Sequence, residues 1–143
     1  MDLEPDVSSN YIRLGQAYQR NCHFDDALAA LQKAVMLEPE YHRSRQDLGE
    51  FYFNRGRYQE ALPHFQKMVE LDPSQPIGHF VLGEDYMNMG RFAEAERELR
   101  LSAEQGETPV GLHTLGGVLM YQGRGREGSS YINQAWTRCS KRP

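Results

Sequence analysis

The sequence predicts an all-α fold, an α-solenoid in which antiparallel helix pairs stack one on the next. Three observations carry that expectation. The 143 residues coincide with themselves at a shift of 34. Within each period apolar residues recur at helical spacing, and breaks bearing glycine or proline separate the helical stretches at fixed offsets.

The period is read directly from the residues. Leu14-Gly15, Leu48-Gly49 and Leu82-Gly83 coincide, as do Tyr18, Tyr52 and Tyr86. Ala27, Ala61 and Ala95 follow, then Leu31, Phe65 and Leu99, and Leu37-Glu38-Pro39 matches Leu71-Asp72-Pro73. A fourth copy fits when one residue is dropped near Gly106, which brings Leu115-Gly116, Leu119, Gly128, Ile132 and Ala135 into register. The repeats are therefore 8–41, 42–75, 76–108 and 109–141, forming one solenoid domain, with residues 1–7 as the tail of a preceding repeat.

Each repeat reads as two helices. Tyr11, Leu14, Gly15 and Tyr18 lie at i, i+3, i+4 and i+7, one face of a 3.6-residue helix. Ala27, Leu31 and Ala34 repeat the pattern in the second helix. The turns between them are Arg55-Gly56-Arg57, Met89-Gly90-Arg91 and Gln122-Gly123-Arg124, where a glycine just past the first helix closes it in the left-handed conformation. Cys22 holds that place in the first repeat, so strain is expected there. Asp25, Asp26, Glu60 and Glu94 fall in the first turn of the second helices, on the side the helix dipole favours for negative charge. Pro39 and Pro73 stop those helices. Gly15 and Ala27, almost without side chains, predict a close approach of the two helices, with Tyr18, Phe24 and Leu31 filling the space around it. A single pair cannot bury its apolar face alone, and stacking makes the core continuous.

The Leu-Gly-x-x-Tyr…Ala-x-x-x-Leu/Phe…Pro pattern resembles the tetratricopeptide repeat over nearly the whole chain. The fourth repeat departs from it, with Leu119 for Tyr, Gly128 for Ala and no closing Pro. The resemblance implies a right-handed superhelix whose concave surface holds extended or helical peptides, and hence a protein-interaction scaffold. It also implies an alternative, a regulatory or substrate-presenting arm of a larger enzyme such as a glycosyltransferase carrying similar repeats.

Composition narrows the classes further. Hydrophobic residues make 39% and charged residues 25% of the chain, and the formal net charge is −4. Acidic and basic residues interleave, as in Arg97-Glu98-Leu99-Arg100, so no basic stripe is present to neutralise phosphates and nucleic acid is not an expected partner. No apolar run approaches the ~20 residues of a membrane span, so membrane insertion is not expected. The first residues lack the pattern of a secretory signal. Two isolated thiols, Cys22 and Cys139, fit a reducing compartment, with the cytoplasm the expected location. No phosphate loop, H-E-x-x-H or Ser/His/Asp order is present. His23, His42, His64, His79 and His113 are scattered and read as isolated surface residues, while Glu94, Glu96 and Glu98 read as a solvated face. No catalytic residue, metal site or cofactor is expected, and no enzyme within these residues.

With the first residue of each repeat as position 1, positions 4, 7, 8 and 11 of the first helix face its partner helix. Positions 2, 5, 9, 12 and 13 form a separate stripe, which in similar proteins lines the concave groove. It comprises Ser9, Ile12, Gln16, Gln19 and Arg20 in the first repeat, and Arg43, Gln46, Glu50, Phe53 and Asn54 in the second. Ile77, Phe80, Glu84, Met87 and Asn88 follow in the third, then Val110, His113, Gly117, Met120 and Tyr121 in the fourth. The candidate peptide-binding residues are Gln16, Arg20, Arg43, Gln46, Glu50, Phe53, Asn54, Phe80, Glu84, Met87, Asn88, His113, Met120 and Tyr121. The aromatic and Met side chains offer contact area in the groove or pack against the next repeat; Asn54 and Asn88 recur at one position and suit a peptide backbone.

Family members that clamp the C-terminal carboxylate of heat-shock chaperones carry Lys, Arg and Asn at five positions of three first helices. The matching residues are Ile12, Gln16, Asp47, Ile77 and Val81 or, one repeat on, Gln46, Glu50, Val81, Val110 and Thr114, so the basic residues of that clamp are missing.

At the ends, Leu3-Glu4-Pro5 stands 34 residues before Leu37-Glu38-Pro39, where the close of a second helix belongs. It predicts a fragment of a longer array; a coincidental tripeptide at a natural terminus is the alternative. Tyr131, Ile132, Ala135 and Trp136 make the last helix broadly apolar with no polar cap following, which predicts possible homo-association through the array ends.

Overall fold

The computed structural model describes residues 7–106 and 108–141. Among them are eight helices and no strand: α1 (Val7–Arg20), α2 (Phe24–Leu37), α3 (His42–Phe53), α4 (Tyr58–Leu71), α5 (Pro76–Asn88), α6 (Phe92–Gln105), α7 (Pro109–Tyr121) and α8 (Gly125–Ser140). The fold is all-α, as the period predicts. The chain divides between Leu71 and Asp72 into two compact halves, α1–α4 and α5–α8. Leu3-Glu4-Pro5 lies outside the described residues.

The Leu-Gly coincidence has a steric cause. A Cβ added to Gly15 would stand 2.7 Å from Leu31 Cγ, one on Gly49 2.5 Å from Phe65 Cε1, and one on Gly83 2.7 Å from Leu99 Cγ. Each first helix thus lies against the large side chain of its own partner helix, and Leu31, Phe65 and Leu99 are sealed from solvent. In the fourth pair the backbones themselves meet. A Cβ on Gly116 would stand 2.7 Å from the Gly128 carbonyl oxygen, and one on Gly128 would stand 2.6 Å from the Gly116 oxygen. Gly128, which departs from Ala27, Ala61 and Ala95, is what permits this approach.

The turns behave alike. Gly56, Gly90 and Gly123 take φ of 71°, 76° and 78°, and Cys22 takes 60°. In each turn the amide after that residue donates back to the first helix, His23 to Tyr18 O at 2.9 Å and Arg57 to Tyr52 O at 3.0 Å. The geometry is the same whether or not glycine is present, so the expected strain at Cys22 is carried by its Cβ.

Within the first half α3 packs against α2 and touches α1; within the second α7 packs against α6 and touches α5. These contacts use positions 3, 6 and 10, a third stripe that the two-stripe reading left out. Ser44, Asp47 and Phe51 of α3 are buried there, as are Gly111 and Val118 of α7, and Gly78, Val81 and Asp85 are buried at the same positions of α5. The Ser8 hydroxyl donates to Ala34 O at 3.2 Å and lies 3.2 Å from Ser44 Oγ. The Arg55 guanidinium covers the rings of Phe24 and Phe51, 4.0 and 3.7 Å from their centroids. In the second half Arg100 reaches from α6 to Tyr131 Oη and Glu127 of α8, and Arg124 shares Glu96 and Glu127 with it.

Two sequence readings need correction. His79 is no surface residue: it is buried, with Nδ1 2.7 Å from Glu98 Oε2 and Nε2 2.9 Å from Pro73 O. The carbonyl can only accept, so Nε2 donates to it while Nδ1 shares a proton with the carboxylate. Glu98 is correspondingly buried rather than solvated. His64 is half-buried and stacked on Tyr52, where burial, then the facing Arg45 guanidinium, push its pKa down to about 4.

Asp85 is the anomaly of the core. It is fully buried at the position held by Phe51 and Val118 in the neighbouring repeats, and neither carboxylate oxygen has a hydrogen-bond partner. Desolvation pushes its pKa up to about 7.

Three expectations follow from this packing. Cys22→Gly removes the Cβ strain and raises unfolding free energy by ~0.5–1 kcal/mol in urea titrations, after allowing for the greater chain entropy of glycine. Gly116→Ala forces α7 and α8 apart and lowers it by ~1–3 kcal/mol, seen as an earlier urea midpoint. The third concerns pH. The folded pKa of Asp85 lies above its unfolded value of 3.8, so the folded state holds the proton longer and the penalty grows as pH rises from 3.8 to about 7. Asp85→Asn is therefore more stable than the parent at pH 8 by at most ~4 kcal/mol, a margin that shrinks towards pH 5; equal margins at both pH values would contradict it.

Candidate peptide-binding surface

The predicted stripe is described half by half. In the first half it is a surface of polar groups already tied to one another. Gln16 of α1 donates to Asp47 Oδ1 at 2.8 Å, and exposed Arg43 donates through Nε to Asp47 Oδ2 at 2.7 Å. Arg43 in turn is held firmly charged, first by that hydrogen bond and then by the charge of Asp47. Gln46 donates to Glu50 at 2.8 Å, both half-buried. Arg20, the last residue of α1, and Asn54, just past α3, are exposed. Phe53 is half-buried, and its ring meets Tyr58 and Phe65 edge-on at 5.3 and 6.3 Å. It packs on its own partner helix α4. Ile12, which shares a repeat position with Gln46, is only 5% exposed and belongs to the core.

The second half presents a different chemistry. Phe80, Glu84, Met87 and Asn88 run along α5 at i, i+4, i+7 and i+8; the first three are half-buried and Asn88 is exposed. Burial pushes the Glu84 carboxyl above its ordinary range. The Asn88 amide donates to Glu84 O at 2.8 Å, folding the side chain onto its own helix. On α7, His113 is exposed, Met120 is 49% and Tyr121 75% exposed. The Tyr121 ring nonetheless has a fixed seat, stacked on Phe92 at 5.3 Å with an interplanar angle of 5°. Between them Gly117 leaves open space, since a Cβ built there meets nothing within 4 Å. The result is a notch in the helix surface flanked by His113, Met120 and Tyr121.

Sequence reasoning singled out neither Phe92 nor Asp47 as part of this surface. The first had a readable signal, because Phe24, Tyr58 and Phe92 coincide at the 34-residue shift. The second had one too, the Arg43–Asp47 spacing of i, i+4. Among the described residues no three His, Cys, Asp or Glu side chains come together to hold a metal ion. None of the described helices is long and apolar enough to cross a membrane.

Comparison with known proteins places this geometry. The chain is similar to the crystal structure of MamA, with a TM-score of 0.85 at 21% identity over 96% of this chain and 81% of that one. It is similar to MamA residues 41-end from Desulfovibrio magneticus RS-1, with a TM-score of 0.86 at 14% identity over 95% and 78%. A third structure, MamA AMB-1, gives 0.81 at 21% identity over 99% and 78%. At these identities the likeness is one of fold. No curated protein matches the sequence. Two tetratricopeptide-repeat models match residues 14–81 and 76–100, which together span more than half of the chain. The chain belongs to the tetratricopeptide-repeat family.

Proposed function

We propose that the chain holds a partner protein by receiving a peptide or helix of it along the first-helix stripe, the concave groove of the array. Family membership supports the broader role of a protein–protein interaction scaffold. The finer reading rests on Tyr121: a side chain three-quarters exposed yet seated by its stack on Phe92, beside Met120 and the open notch at Gly117. A large ring fixed before binding loses little entropy on contact, and Met adapts its shape to what it meets. Phe80 and Met87 extend the apolar area along α5, and Glu84 offers an acceptor to a lysine, an arginine or a backbone amide. In the first half Arg20, Arg43, Gln46, Glu50 and Asn54 offer hydrogen-bonding groups rather than apolar area. The favoured ligand is thus a segment with apolar anchors and a neighbouring basic group.

The reading is tested by selecting displayed peptides from a random library on the full chain and measuring their affinity for variants. Phe80→Ala with Asn88→Ala, and separately Tyr121→Ala, weaken the selected peptides about tenfold or more while leaving helicity unchanged. Peptides that bind all variants equally would remove the stripe as the site.

A further inference from the structure

In the first half the polar groups of the stripe find partners in two ways. One pair serves the next: Gln16, at position 9 of its repeat, donates to Asp47 at position 6 of the following one, and Arg43 at position 2 neutralises that carboxylate. A helix also serves itself: Glu50, at position 9 of α3, accepts from Gln46 one turn earlier.

Glu84 holds position 9 of α5 and has neither kind of partner. Four residues before it stands Phe80, which has no polar hydrogen to give. The helix that could serve it from the following pair, α7, is in place and touches α5. Yet α7 carries Val110 at position 2, where α3 has Arg43. At position 6 it carries Thr114, whose hydroxyl is already donated to Val110 O at 3.0 Å. Among the described residues no hydrogen bond or ion pair reaches the Glu84 carboxylate, and desolvation alone pushes it above its ordinary range. The acids of the two second helices are treated otherwise. Half-buried Glu94, Glu96 and Glu127 and buried Glu98 each pair with an arginine or a histidine. The stripe of this half holds one carboxylate and no lysine or arginine.

We infer that Glu84 is a cation subsite, where the Lys or Arg side chain of a partner segment supplies the counter-ion that this half lacks. The inference deepens the groove reading above and rests on it. A carboxylate that has lost part of its hydration and has no counter-ion gains more from an arriving cation than one already paired. Phe80, one turn before Glu84, and Met87, one turn after it, are half-buried apolar groups on the same stripe. They suit the hydrocarbon stem that a lysine or arginine carries behind its charge. A neutral residue in that place leaves the carboxylate unpaired, and an acidic one sets like charges together. Glu84 therefore chooses among segments whose apolar anchors fit the stripe equally well.

Three displayed peptide libraries, alike in their randomised positions and differing in one fixed central residue (arginine, glutamine or glutamate), test this on the full chain. The parent enriches the arginine library about tenfold or more over the other two. Glu84→Gln erases that preference, and Glu84→Lys moves it to the glutamate library. Glu104→Gln removes an equal charge from an exposed place on α6 and keeps the preference, which separates the subsite from the net charge of −4. Circular dichroism checks that the variants keep their helicity. A parent without preference overturns the inference, as does an arginine preference that survives Glu84→Gln. Peptides that weaken on Tyr121→Ala but ignore Glu84→Gln overturn the subsite and leave the groove reading standing. Peptides that bind every variant equally remove both.

Discussion

Everything in this molecule depends on how closely two helices of a pair approach. At repeat position 8 there is no room for a Cβ, because Leu31, Phe65 or Leu99 of the partner helix already fills that space, and in the last pair the partner's backbone does. The close approach sets the position of the buried alanines, and the left-handed residue in the turn returns the chain at the angle that keeps the pair together. The faces left over after pairing are then determined. One takes the neighbouring pair, and another, on the opposite side of the first helix, is the stripe proposed to receive a partner.

The two halves use that stripe differently. In the first, Gln16, Arg43 and Asp47 satisfy each other, so a ligand must compete with bonds already made. In the second, the groups are large and mostly apolar, Tyr121 is held by its stack on Phe92, and the missing side chain at Gly117 leaves the surface open. Asp85, sealed without a hydrogen bond close to this apolar stripe in sequence, shows that the same half carries a polar group its core does not satisfy.

Much of this was legible beforehand. The period alone located the helices, their turns and the reason for Leu-Gly, because a 34-residue coincidence records identical backbone geometry repeated. The strain expected at Cys22 was placed by the same logic and is present as a positive φ. Other features were hidden for a physical reason. The helix wheel separates a face from its opposite but does not say that a first helix has three neighbours, so Ile12 was read as surface and the burial of Asp47 and Asp85 went unseen. His79 and Glu98 were likewise read as solvated, since the bond joining them runs between helices 19 residues apart. Within the stripe, the sequence supplied the residues, while the seat of Tyr121 and the orientation of Asn88 required coordinates.

The locality of these bonds governs how the chain reaches its structure. Ser8 meets Ser44 across 36 residues, Gln105 meets Pro73 across 32, and Gln16 meets Asp47 across 31. Each closes a short loop, and the entropy lost in closing a loop rises only with the logarithm of its length. A chain wired this way has low contact order and folds fast for its size. During synthesis the first pair can form before the third has left the ribosome, so the apolar faces that later join pairs are exposed to the cell only briefly and in sequence.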